Sequence, residues 1–162
     1  MAYNDSVIGV DLDATVAGTG TSSDEGNDFV VGKCVTASSG QKYMYVHASA
    51  AISQYDVVGI SEAFEAAPLT KAMADDGWLI GAAQVALSDN DFGWVCVGGV
   101  AEINVLASCA PDVALYTTGT AGKLDDNSTS QTKIDGIVQV DAAVTSATNT
   151  TALMSFPRSS SF

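Results

Sequence analysis

From Phe29 onward, apolar residues come in short runs separated by Gly, Asn, Asp and Ser, a pattern with the period of strands. Phe29-Val30-Val31 leads into Cys34-Val35-Thr36. The turn Ser38-Ser39-Gly40-Gln41 then predicts a hairpin returning through Tyr43-Met44-Tyr45-Val46. Further strands are predicted within 52–60, 78–87, 92–97, 113–117, 134–140 and 151–156. Within residues 100–106, Ala101, Ile103 and Val105 share one face, and Glu102 and Asn104 lie on the other. The pair Gly98-Gly99 just before them permits a bulge or sharp bend within a single strand. Helix signals are scarce: 61–67 and 70–74 are each long enough for a turn or two, with Pro68 between them. The expected fold is all-β, a small barrel or sandwich of about ten short strands.

A weak internal repeat organises these runs. Tyr55-Asp56-Val57-Val58 is echoed by Pro111-Asp112-Val113-Ala114. Gly81-Ala82-Ala83-Gln84-Val85 is echoed by Gly136-Ile137-Val138-Gln139-Val140. Pseudo-repeats over about 55–97 and 111–156 predict a domain built by duplication, since one copy alone would leave its apolar face uncovered. Residues 1–28 differ. The apolar run 7–10 is followed by the polar, glycine-rich stretch 17–28, which predicts an N-terminal arm and linker ahead of a β domain over 29–162.

Charge narrows the function. Nineteen acidic and six basic residues give a net charge of −13. Clustered cations for phosphate neutralisation are missing, so nucleic acid and anionic membranes are poor partners. No stretch approaches the ~20 consecutive apolar residues of a membrane helix, and Met1-Ala2-Tyr3-Asn4-Asp5 lacks a signal-peptide start. The expectation is a soluble protein made in a cytosol.

Candidate chemistry is thin. Val10-Asp11-Leu12-Asp13-Ala14-Thr15 resembles the first motif of haloacid-dehalogenase-type phosphotransferases, which would make Asp11 a nucleophile and Asp13 a general acid in a Mg²⁺-dependent reaction. That chemistry needs a parallel α/β sheet, and no βαβ alternation is present. His47 is the only histidine, and no serine sits in a Gly-x-Ser-x-Gly elbow. Cys34, Cys96 and Cys109 are too widely spaced for a Cys-x-x-Cys site, and Cys96 and Cys109 read as small core residues. Asp89-Asn90-Asp91 and Asp125-Asp126-Asn127 offer oxygen ligands but lack the rest of a calcium loop. Trp78 and Trp94 are candidates for a carbohydrate platform, or for core and interface anchors. The expectation is no catalytic residue, no metal site and no cofactor.

The stretch from Tyr55 to Phe156 resembles the head decoration (capsid cement) proteins of tailed bacteriophages. The likeness rests on Tyr55-Asp56-Val57-Val58, Ile80-Gly81, the run Gly93-Trp94-Val95-Cys96-Val97-Gly98-Gly99-Val100-Ala101, the second Asp112-Val113, and Gly136-Ile137-Val138. Residues 1–53 are longer than in the most compact members. The resemblance implies a non-enzymatic virion protein, often trimeric, which sits on the outer surface of an icosahedral capsid, binds the major capsid protein and stabilises the shell against internal DNA pressure. On that reading Val7, Ile8 and Val10 of the arm are candidate capsid contacts, docking on one subunit while the β domain rests on another. Two other readings stay open: a tail-fibre or adhesin module binding a host glycan through Trp78 or Trp94, and the phosphotransferase.

Overall fold

A computed structural model describes residues 10–18, 29–141, 145–146 and 148–160. Ten strands and one short helix follow in chain order: β1 Cys34–Thr36, β2 Lys42–Ala48, β3 Val57–Ile60, β4 Glu65–Pro68, α1 Lys71–Asp75, β5 Leu79–Ala83, β6 Phe92–Val105, β7 Leu115–Thr117, β8 Leu124–Asp125, β9 Lys133–Gln139 and β10 Thr148–Ser159. The chain is all-β, and all ten strands hydrogen-bond into one continuous sheet.

That sheet closes on itself twice. In the first ring β2 pairs with β4, β4 with β3, β3 with β5, β5 with β6, and β6 back with β2; only β2–β4 is parallel. In the second ring β6 pairs with β8, β8 with β7, β7 with β9, β9 with β10, and β10 back with β6; only β6–β8 is parallel. The two rings share one connectivity, with β6 as the last strand of the first and the first strand of the second. Closure leaves few free edges, and β1, a three-residue strand on β2, is short enough not to invite further pairing.

Backbone conformation repeats along with topology. Left-handed residues occur at matching places: Tyr55 (φ 67°) with Asp112 (56°), Phe64 (60°) with Gly122 (79°), Gly77 (77°) with Ser130 (58°), and Gly99 (97°) with Phe156 (46°). The two rings therefore repeat in backbone conformation as well as in topology, with Tyr55 rather than Asp56 at the place of Asp112. Tyr55 is the counterpart of Asp112, because the left-handed corner, and not the aspartate, is what both copies keep.

Two apolar clusters fill the fold. Met44, Val46, Val58, Ile60, Val95 and Val97 occupy the first ring. Ile103, Val105, Leu115, Leu124, Ile134 and Met154 occupy the second, and their cluster extends over Tyr45, Phe92 and Trp94 on the outside of the first. Phe29, Val10 and Val16 pack on that outer aromatic surface, with Phe29 centred 5.3 Å from Trp94. Val16 is bridged to Phe92 by two backbone hydrogen bonds of 2.7 and 2.8 Å. Residues 10–18 of the expected arm are thus laid against the domain, whereas Val7 and Ile8 lie outside the described residues.

The expected hairpin through Gly40 and the single strand running through Gly98-Gly99 are both present. Opposite Lys42–Tyr43 the β6 register slips by one residue, a bulge at which the strand leaves the first ring for the second. The helix expected over 61–67 is absent. Phe64 turns the chain in the left-handed region, and Ala66 and Ala67 are buried in β4 between β2 and β3. Among the described residues only 71–75 is α-helical, started by the Thr70 hydroxyl accepting from Met73 N–H.

The rings are stitched by polar contacts. Asp56 is buried; it accepts from Ser53 N–H (3.0 Å) and from Asn104 Nδ2 on β6 (2.9 Å). A Cβ at Gly122 would lie 2.7 Å from Asp56 Cγ, so this corner needs glycine for space as well as for conformation. Gln84 of the first ring exchanges two hydrogen bonds with the backbone of Glu102.

Candidate functional site

Most residues singled out in the sequence are used by the fold locally. Asp11 accepts from Asp13 N–H at 3.0 Å, so Asp11 and Asp13 lie on an exposed turn and not at the end of a parallel strand. His47 stacks on Phe92 at 4.6 Å. Asp91 closes its own turn by accepting from Ser88 N–H at 2.9 Å. Trp94 is 2% exposed and belongs to the core, which removes it from any glycan platform; Trp78 is half-buried at the surface. Val10 is half-buried against the core.

Cys34 is exposed, and Cys96 and Cys109 are buried. Burial raises the Cys96 thiol and, with the nearby charges of Asp126 and Asp125, pushes Cys109 up to about 11. Cys109, Asp125 and Asp126 bring their ligand atoms within 4.8 Å of one another. This cluster came from two separate stretches of sequence. Burial raises the Asp125 carboxyl; the Asp126 backbone N–H opposes the shift and the Asp126 charge adds to it.

Two surface features stand apart from these. The first is an apolar stripe on the outside of the second ring. Val100 on β6 pairs with Leu153 on β10, and Leu153 pairs with Val138 on β9, so the three form a row across neighbouring strands. They are 51%, 54% and 39% exposed, and Val140 and Phe156, also about half exposed, extend the group. Phe156 holds a left-handed backbone where the first ring has Gly99, and its only ring contact among the described residues is the Lys42 ammonium at 5.1 Å. A bulky residue in that region is strained, and this one keeps about half of its surface exposed. The sequence carried a signal for the stripe: strict alternation fails at Val100-Ala101, Ile137-Val138 and Ala152-Leu153-Met154, where both faces are apolar.

The second feature is a groove of about 490 Å³ on the first ring, lined chiefly by Ile60, Glu62, Phe64, Asp76, Trp78 and Leu79. Trp78 lies over Gly59: a Cβ there would sit 3.4 Å from Trp78 Cε3. The second ring has a smaller depression of about 140 Å³ in the corresponding place, lined by Thr117, Thr118, Gly119, Thr129 and Gln131 with Asp125 and Asn127. Strand pairing aligns Ile60 with Thr117, because each faces the buried residue of its neighbouring short strand, Ala66 or Leu124. Trp78 then falls on Gln131, Asp76 on Thr129 and Glu62 on Gly119. In the second ring polar groups satisfy each other: Thr117 Oγ1 donates to Gln131 Oε1 at 3.0 Å, and Thr118 Oγ1 to Thr120 O at 2.7 Å.

Among the described residues no helix is long and apolar enough to cross a membrane. No protein-family profile matches the chain, and no curated protein matches it.

Proposed function

We propose that this chain is a non-enzymatic structural protein that binds the outer surface of an icosahedral viral capsid and stabilises the shell. The observation that carries the reading is the row of Val100, Leu153 and Val138, half-exposed apolar side chains on neighbouring strands, with Val140 just past β9 and the strained Phe156 on β10 also exposed. Such a surface suits a protein partner, because burying it removes apolar area from water without further ordering of the backbone. The net charge of −13 suits the outside of a particle, away from the phosphates within. Val10 packs partly on its own domain, so the stripe replaces the arm as the main contact in this proposal. The resemblance of 55–156 to capsid cement proteins points the same way and names the major capsid protein as partner, with trimers as the expected assembly.

The test is quantitative mass spectrometry of purified virions. Copy number close to that of the major capsid protein is the expected result. A few copies per particle would instead make the chain a tail or fibre component, and its absence from particles would end the proposal.

A further inference from the structure

The two rings carry a depression at the same place, but of different size and with different walls. In the second it is small, has no aromatic wall, and is lined by Thr117, Thr118 and Gln131 together with Asp125 and Asn127, with Thr117 Oγ1 bonded to Gln131 Oε1. In the first it is a groove walled by Phe64 and Trp78 and flanked by the exposed carboxylates of Glu62 and Asp76. Among the described residues neither carboxylate has a hydrogen-bond or ion-pair partner, and no Lys or Arg lines the groove.

Two of these residues sit where the local backbone disfavours them. Phe64 holds φ 60° where its counterpart is Gly122, a conformation that costs a bulky side chain energy. Asp76 caps the C-terminus of α1, beside carbonyls that repel a carboxylate. Stability alone would favour a glycine at the first place and a neutral or basic residue at the second. The Phe64 ring does meet Gly32, so part of its cost is recovered in packing.

We infer that this groove is a binding site for an arginine side chain presented by an extended segment of a protein partner. The argument is charge complementarity: aromatic faces attract a cation through their quadrupoles, and unpaired carboxylates accept charge-assisted hydrogen bonds from a guanidinium. A planar guanidinium stacks on an indole as an ammonium cannot, and Trp78 is the residue that distinguishes this groove from its twin. The volume lies within the range of sites for small ligands and exceeds what one side chain fills, leaving room for the segment that carries it. The site lies on the first ring and does not depend on the stripe of the second or on the capsid reading.

The test uses the full ¹⁵N-labelled chain and its two indole N–H signals, with buried Trp94 as the internal reference. Acetyl-Gly-Arg-Gly-amide is titrated alongside acetyl-Gly-Gln-Gly-amide and methyl glucoside. The expected result is a saturable shift of the Trp78 signal by the arginine peptide alone, with Trp94 unmoved. Glu62→Gln with Asp76→Asn, both at exposed positions, should lower the affinity about tenfold without unfolding the chain. Three results would overturn the inference: equal shifts from the arginine and glutamine peptides, which make the groove merely apolar; a response to the glucoside alone, which makes it a sugar site; or no response of Trp78 to any of the three.

Discussion

The first and second rings are the same five-strand circuit built twice, and the places where they differ are instructive. The circuit fixes left-handed corners at four matching positions. At two of them one ring uses glycine and the other phenylalanine: Gly122 against Phe64, and Gly99 against Phe156. Glycine is the residue these corners ask for on conformational grounds. Each phenylalanine lies at one of the two surface features, Phe64 in the wall of the first ring's groove and Phe156 beside the second ring's stripe. Each ring keeps the circuit while one of its corners carries a side chain that the conformation does not ask for.

The comparison can be broken most severely at the shared strand. Ile103 is fully buried on β6, which belongs to both rings, so Ile103→Ala should cost about 2–5 kcal/mol. Unfolding should remain a single transition followed equally by tryptophan fluorescence, which reports the first ring, and by far-ultraviolet dichroism. Two separated transitions would mean that the rings are independent units.

At the matched corners the expected effects are smaller and unequal. Gly122→Ala should destabilise by about 1–3 kcal/mol, because its Cβ would meet Asp56 and its backbone is left-handed. Phe156→Gly at the other corner should change stability by less than about 1 kcal/mol, since relief of the backbone offsets the added freedom of the unfolded chain. Denaturant titration of the two variants separates them. A large loss for Phe156→Gly would make that ring structural and weaken the case for the stripe.

Electrostatics distinguishes the rings in the same graded way. Asp125, in the second ring, has its carboxyl raised by burial. A raised folded-state value means the native protein binds the proton more tightly than the unfolded chain, so this group's contribution falls as pH rises through that value. Asp125→Asn should therefore be more stable than the parent at neutral pH, with the advantage vanishing in acid, as thermal melts across pH would show. An advantage that grew on acidification would contradict the assignment.

Much of the fold was legible in the sequence because alternation and turn chemistry are local. The hairpin at Gly40, the passage through Gly98-Gly99 and the buried face of Ala101, Ile103 and Val105 are all set by neighbouring residues. The two-residue β8 and the alanine-rich β4 were not legible. They are strands only through the partners on either side of them, β3 and β2 for β4, β7 and β6 for β8, and the parallel partner in each case is non-local. The groove was hidden for the same reason: Glu62 and Phe64 approach Asp76 and Trp78 through the pairing of β3 with β5. The stripe was different, for its broken alternation was on view in the sequence, but only the cross-strand register of Val100, Leu153 and Val138 turns three isolated residues into a surface.

The most direct measurement is hydrogen–deuterium exchange of the chain free and bound to capsids. The account predicts protection on binding concentrated over 98–101, 136–140 and 152–156, the strands that carry the stripe. Protection confined to residues 10–18 or to β1, with those three segments unchanged, would contradict it.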